Sequence, residues 1–129
     1  SLPAFSMLRA ISSAIRDHCK DYWTGTVYTT NRRVWEYDSD FKDYLKKTHA
    51  TGIDMETATL LTAGFANKIP TGALLMISDM PLEEGGIKTE ASDKEVTRLF
   101  VEEHVHLGME SLKQIIDEKK TIQHILFSW

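Results

Sequence analysis

A helix-length segment with almost no charge, followed by a short apolar run, constrains the fold of this chain most strongly. Within residues 55–66 nearly every side chain is small or apolar, and the only acid, Glu56, lies at the start. A helix of this composition is expected to be buried on most sides. Residues 72–77 are continuously apolar between Pro70 and Ser78, which is typical of a buried parallel strand. Asp79 then lies where that strand ends.

The amino-terminal third contains three further predicted elements. Residues 22–30 are rich in aromatic and β-branched side chains and predict a strand, and residues 39–47 predict a short surface helix. The first helix is predicted from apolar residues that recur every three or four positions, at Phe5, Leu8, Ile11, Ile15 and Cys19.

The carboxyl-terminal third predicts one long helix. Ser92 and Glu95 form a capping-box pair at its start, and residues 122–127 are predicted to be a short strand or an extended tail. The apolar stripe of the helix consists of Val101, Val105, Met109, Leu112 and Ile116.

Helices that alternate with strands indicate an α/β fold with a mainly parallel sheet. The chain has 129 residues, of which 42% are hydrophobic, so we expect a single domain over residues 1–129. Ligands of such sheets bind at the carboxyl ends of the strands. Asp79 is expected at that position.

Charge and hydropathy exclude several classes of protein. The net charge is −4 and no basic face is apparent, so nucleic acid is not an expected partner. No apolar run approaches the roughly 20 residues needed to cross a bilayer, and no membrane association is predicted. Cys19 is the only cysteine, which favours a reducing, cytoplasmic location and a packing role for its side chain.

No metal site or cofactor is predicted. His104 and His106 are two positions apart, and residues at that spacing on a helix point in different directions and cannot ligate one ion together. The chain also has no glycine-rich dinucleotide loop, no phosphate loop and no nucleophile elbow.

Three groups of polar and aromatic residues are candidates for chemistry. Asp54 and Glu56 flank Met55 at the start of the uncharged helix, where they are either ordinary helix-start residues or acids that face a ligand. Ser78 and Asp79 end the apolar run. There the aspartate is either a turn residue or an acid that holds its proton near neutral pH beside apolar walls.

The third candidate group follows the predicted strand of residues 22–30. The guanidinium groups of Arg32 and Arg33 are the right kind to bind a phosphate, and the indole of Trp35 is able to stack on a flat base. Ordinary roles as surface arginines and a core tryptophan remain open for these three residues.

The motif GIDMETA at residues 52–58, followed by Ile77, Ser78 and Asp79, resembles the paired signatures of the nucleoside phosphorylase and nucleosidase family. Most of that family has glutamate where this chain has Asp54. The segment TGTVYTTNRRVWE at residues 24–36 resembles the AMP nucleosidase branch in particular. The similarity extends over nearly the whole chain, from the first helix to the long last one.

The resemblance implies a three-layer α/β/α sandwich, of which this chain is the carboxyl-terminal half, and the hydrolysis of AMP to adenine and ribose 5-phosphate. It implies that Asp79 is the general acid at adenine N7, while Glu56 binds the ribose hydroxyls and Met55 packs on the ribose face. Trp35 matches the region that supplies the aromatic base-stacking residue in the family, and an alignment shifted by one position would put Val34 there instead. Water is the implied nucleophile.

The resemblance also implies partners that this chain lacks. Family members are about twice as long and take phosphate-binding arginines and a glycine loop from the preceding half, so the chain alone is expected to be inactive. Hexamers are the implied assembly. Two alternatives remain open at this point, namely a phosphorylase that uses phosphate in place of water and a non-catalytic module for nucleotide binding or oligomerisation.

Overall fold

The computed structural model describes residues 2–18, 20–87 and 89–117. Cys19 and the predicted strand or tail at 122–127 lie outside the described residues. The elements in chain order are the helix α1 (Phe5–Asp17), the strand β1 (Thr26–Thr29), a 3₁₀ turn (Trp35–Tyr37), the helix α2 (Ser39–Lys47), the strand β2 (Ala50–Asp54), the helix α3 (Thr57–Ala66) and the helix α4 (Glu90–Asp117).

The strands β1 and β2 form a parallel pair, with α2 in the crossover between them. Val27 lies opposite Gly52 and Thr29 opposite Asp54, and the register shifts between Thr26 and Val27. The amide of Thr30 donates to the carbonyl of Asp54 at 2.8 Å, which extends the pairing to the carboxyl end of the sheet. The expected α/β class with a parallel sheet is confirmed.

The elements of the parallel pair and its crossover helix differ in how well the sequence predicted them. The helix α2 covers residues 39–47 as expected, because Asp38 accepts a hydrogen bond from the amide of Phe41 at 3.0 Å and so caps its first turn. The strand β1 is shorter than the predicted range of 22–30. The strand β2 was missed, since Gly52 and Asp54 are poor strand formers that hold this conformation through their pairing with β1.

The helices α1 and α4 pack on each other through small side chains. Ala14 is fully buried and Ser111 almost so, and Leu107 lies one turn before Ser111. Lys20 and Glu103 form an ion pair of 2.9 Å beside this contact. The buried face of α4 thus combines a small side chain, Ser111, with one larger apolar side chain, Leu107.

The apolar stripe predicted for α4 is not the face that this helix buries, so that prediction is wrong. Met109 and Leu112 are each about half exposed, and Ile116 is 70% exposed, because the stripe points away from α1. The buried face of α1 also differs from the predicted stripe. Ile15 is buried as expected, but Phe5 is 80% exposed.

The expected burial of α3 on most sides is wrong for the described residues. Thr57, Leu61 and Gly64 form the single buried face, whereas Leu60 is 61% and Phe65 86% exposed. The composition predicts a helix that is covered all round, but β1 is the main element in contact with it here.

The predicted strand at 72–77 is also corrected, since this segment has no regular secondary structure. Strands require a neighbour that bonds their backbone groups, and within the described residues no strand lies beside it. The segment begins between two helices. The amide of Ala4 donates to the carbonyl of Thr71 at 2.8 Å, and a methyl group on Gly64 would lie 1.9 Å from Thr71 Oγ1.

The start of α4 differs from the predicted capping box. The helix begins at Glu90, and Ser92 lies in its first turn. Thr89 and Ser92 bond reciprocally, since each backbone amide donates to the other side-chain oxygen, at 3.0 and 3.2 Å. A threonine three residues earlier therefore caps the helix, and the predicted pairing of Ser92 with Glu95 is wrong.

None of the described helices has the length and apolar composition of a membrane-spanning segment.

Candidate functional site

A cleft of about 600 Å³ opens at the carboxyl ends of β1 and β2, beside the start of α3. Parallel sheets place ligands at this edge. Hydroxyl, amide and guanidinium groups come from the β1 end, and aromatic rings come from α2 and from Tyr28 of β1. Its lining residues are Tyr28, Thr29, Thr30, Asn31, Arg32, Phe41, Tyr44, Met55, Ala58 and Thr59.

A hydrogen-bonded junction behind the cleft joins the ends of both strands to α3. Thr29 Oγ1 donates to Asp54 Oδ1 at 2.6 Å and accepts from the amide of Ala58 at 3.0 Å. The other carboxylate oxygen, Asp54 Oδ2, accepts from the amide of Thr57 at 2.7 Å and from that of Glu56 at 3.4 Å. Asp54 thus bonds the exposed amides of the helix start, where a carboxylate is favoured.

The junction keeps Asp54 ionised. Burial by itself would raise the pKa of this carboxyl, but the hydrogen bonds from Thr29 and Thr57 and from the amide of Glu56 together hold the pKa below its ordinary value of 3.8. A negative charge therefore lies at the amino terminus of α3 at neutral pH.

Met55 and Glu56 follow directly on this junction. Met55 lines the cleft with 41% of its surface exposed. Glu56 does not line the cleft but is also exposed beside it, and its Oε2 accepts a hydrogen bond from the amide of Met55 at 3.2 Å. The Glu56 carboxylate is open to solvent and free to accept further hydrogen bonds.

Arg32 lines the cleft and Arg33 does not. Nη1 of Arg32 lies 2.7 Å from Asp38 Oδ2, and its guanidinium carbon lies 5.2 Å from the centre of the Phe41 ring. The backbone is fixed too, because the amide of Arg32 donates to Thr30 Oγ1 at 3.1 Å. Within the described part of the chain, no hydrogen bond or ion pair holds the exposed side chain of Arg33.

Trp35 belongs to an aromatic cluster beside the cleft. Its ring meets Phe41 edge to face with 6.2 Å between centres, while Phe41 stacks on Tyr44 at 6.3 Å and contacts Tyr28 at 5.5 Å. Phe41, Tyr44 and Tyr28 line the cleft, whereas Trp35 lies behind Phe41. The aromatic wall suits a flat ring system.

Ser78 and Asp79 lie outside the set of cleft-lining residues. Ser78 Oγ donates to Asp79 Oδ1, and both residues are half-buried in the irregular segment before Pro81. That segment lacks the strand that would carry Asp79 to the carboxyl edge of the sheet.

The structure brings Arg32 and Met55 into one cleft and places Asp54 immediately behind it. Thr29 and Phe41 were not among the candidates predicted from sequence, and neither was Asp38. A threonine at the end of a strand carries no distinctive pattern, but Asp38 is recognisable from sequence as the cap of a helix that starts at Ser39. Among the residues described, no group of three histidine, cysteine or acidic side chains is arranged to hold a metal ion.

Comparison with known proteins places this geometry in context. The family profile described as "Phosphorylase superfamily" matches residues 2–118. The chain is similar to the crystal structure of AMP nucleosidase from Bacteroides thetaiotaomicron, with 59% identity and a TM-score of 0.75 over 94% of this chain and 44% of that one. This similarity, at a high level of identity, confirms the nucleoside phosphorylase type of fold expected from the motifs.

Two curated relatives give the same result at lower sequence identity. Over 91 residues the chain is 35% identical to AMP nucleosidase from Escherichia coli strain K12, and equally so to that from strain O157:H7. The alignment covers 69% of this chain but only 18% of each relative. The resemblance to the AMP nucleosidase branch is confirmed, and the chain corresponds to a minor part of those proteins.

Proposed function

This chain belongs to the phosphorylase superfamily, and on that premise we propose that it is part of an enzyme that hydrolyses the N-glycosidic bond of AMP to adenine and ribose 5-phosphate. The observation that carries the proposal is the 59% identity to an AMP nucleosidase over 94% of the chain. A cleft with aromatic walls and a guanidinium group at the carboxyl edge of the sheet suits a nucleoside monophosphate.

Two residues beside the junction contact the ribose in this proposal. Met55 packs on the sugar face from the cleft wall, and the open Glu56 carboxylate accepts hydrogen bonds from the ribose hydroxyls. As the glycosidic bond stretches, positive charge develops on the ribose, so a nearby carboxylate stabilises the transition state more than the ground state. Water attacks the anomeric carbon, and its proton goes to solvent.

Asp79 is the general acid in this proposal. It protonates or hydrogen-bonds adenine N7, which makes the base a better leaving group. In the described chain Asp79 lies outside the cleft, so the proposal requires residues 72–77 to form a strand beside further strands of the complete domain. Such pairing would carry Ser78 and Asp79 to the carboxyl edge of the sheet, where Ser78 orients the acid.

The base and the phosphate are assigned to the segment after β1. Trp35 is the proposed base-stacking residue, acting together with Phe41, whose ring it contacts. Arg32 and Arg33 are the proposed contacts of the 5′-phosphate. Of the two, Arg32 has the better support because it lines the cleft.

The complete enzyme contains more than this chain in our proposal. The exposed apolar residues of α3 and α4 are surfaces for the amino-terminal half of the same domain and for further subunits of a homo-oligomer, with a hexamer as the proposed assembly. Leu60, Phe65 and Ile116, each more than half exposed, support that assignment. Since AMP is an intracellular nucleotide, we place the enzyme in the cytoplasm.

One assay tests the proposed activity. The full-length protein is incubated with AMP, adenosine and inosine, with and without inorganic phosphate, and the free base is measured. Release of adenine from AMP without phosphate is the expected result. Release that occurs only with phosphate would identify a phosphorylase, and binding of AMP without any release would identify a non-catalytic module.

A further inference from the structure

The Thr29 hydroxyl occupies a central position that the proposed mechanism has not used. It lies at the last residue of β1, and its oxygen makes two hydrogen bonds to groups about 25 to 29 residues later in the chain, at Asp54 and Ala58. Because its single proton goes to Asp54 Oδ1, its lone pair faces the amide of Ala58. The hydroxyl therefore joins three elements at one atom.

The two proposed ribose-binding residues lie between these two contacts. Asp54 ends β2, Ala58 lies in the first turn of α3, and Met55 and Glu56 form the turn between them. The Asp54 carboxylate bonds the amides of Glu56 and Thr57, so the turn is held from both ends. Both Asp54 oxygens are engaged, and neither Asp54 nor Glu56 lines the cleft.

From this geometry, and resting on the proposed function, we propose that Thr29 is a positioning residue that fixes the turn carrying Met55 and Glu56 and so sets the placement of both on the ribose. Asp54 transmits its effect through its hydrogen bonds to the amides of Glu56 and Thr57. A shift of about 1 Å in a contact that strengthens in the transition state lowers the rate by up to about 100-fold, which is the scale of effect expected here.

Three single variants of the full-length protein separate positioning from folding. Thr29→Val keeps the branched shape and removes the hydroxyl, and kcat for AMP hydrolysis is expected to fall about 10- to 100-fold with a smaller change in KM. Thr29→Ser keeps the hydroxyl and is expected to restore most of kcat. Thr26→Val makes the same change at an exposed position of the same strand and is expected to leave kcat unchanged.

A double variant gives a measurement that a general loss of stability would not change. If Thr29 acts through Glu56, then Thr29→Val costs much less activity in a Glu56→Gln background than in the wild type. If the losses of activity caused by Thr29→Val and Glu56→Gln simply multiply in the double variant, the proposal is overturned. A Thr29→Val enzyme with normal kcat would also overturn it.

A readout without turnover keeps this proposal distinct from the proposed function. NMR titration of the Asp54 carboxyl in the full-length protein is expected to give a higher pKa in Thr29→Val than in the wild type and an unchanged pKa in Thr29→Ser. A wild type that releases no adenine from AMP would contradict the proposed function alone. An unchanged Asp54 titration in Thr29→Val would contradict the junction itself.

Discussion

Arg32 Nη1 lies 2.7 Å from Asp38 Oδ2, so the residue that caps α2 also holds the guanidinium at the cleft. Both side chains are partly exposed, and an ion pair of this kind contributes little to the free energy of unfolding. Its consequence is orientation. The planar guanidinium is held over the ring of Phe41, at 5.2 Å from its centre.

Arg32 and Arg33 make a matched pair for testing phosphate recognition. Arg32→Ala is expected to lower kcat/KM for AMP about 10- to 100-fold, because it removes charge-assisted hydrogen bonds to the 5′-phosphate. The same variant should change kcat/KM for adenosine little. Steady-state rates of base release give the ratio of kcat/KM for AMP to kcat/KM for adenosine. Arg33→Ala is expected to lower this ratio less than Arg32→Ala does, because Arg33 does not line the cleft. A collapse of the ratio in Arg33→Ala alone would move the phosphate contact to that residue.

Asp79→Asn tests the general acid. The amide is unable to donate the proton that the leaving base requires, so kcat for AMP is expected to fall by about 10²- to 10⁴-fold. The affinity for AMP, measured by calorimetry, should remain detectable because Met55, Glu56 and Arg32 are intact. Turnover at the wild-type rate would remove Asp79 from the mechanism.

Asp54 makes stability depend on pH in a defined direction. Its folded-state pKa is held below 3.8, so the unfolded state takes up the proton more readily. The contribution of Asp54 to the free energy of unfolding is therefore complete above about pH 5 and is lost as the pH falls through and below 3.8.

Urea unfolding of the full-length wild type and of Asp54→Asn, measured from pH 7 to pH 3, checks this direction. The variant is expected to be less stable at pH 7, and the difference in the free energy of unfolding between wild type and variant should narrow towards pH 3. Asp43→Asn, at an exposed position of α2, is the control and should show a small gap throughout. A gap for Asp54→Asn that stays constant or widens on acidification would contradict the ionised junction.

Two glycines of helices test the close approach of α3 to the segment after it. A methyl group on Gly64 would lie 1.9 Å from Thr71 Oγ1, whereas one on Gly108 in α4 would meet nothing within 4 Å. Gly64→Ala is expected to lower the free energy of unfolding by about 1–3 kcal/mol through overpacking. Gly108→Ala is expected to raise it by up to about 1 kcal/mol, because alanine favours the helix. Thermal unfolding of both variants measures the difference, and equal effects would argue against the packing of α3 on Thr71.

Local patterns in the sequence predicted those elements whose conformation is set by nearby residues. The bounds of α2 follow from its cap at Asp38 and its amphipathic pattern, and the long α4 was expected from its composition, although its cap proved to be Thr89. The motif at residues 52–58 and the pair Ser78 and Asp79 were sufficient to predict the family, since they bring a specific set of side chains to specific spacings.

Pairing and packing across the chain decided the rest. The strand β2 forms because β1 makes hydrogen bonds with its backbone. Residues 72–77 form no strand because no strand in the described residues pairs with their backbone. The helix α1 packs on the face of α4 that holds Ser111 and not on its apolar stripe. The sequence by itself determined the candidate residues, including Asp54, Met55 and Arg32. Only the tertiary structure joined Thr29 to Asp54, because a hydrogen bond between residues that lie 25 positions apart depends on the relative placement of whole elements, which no local pattern encodes.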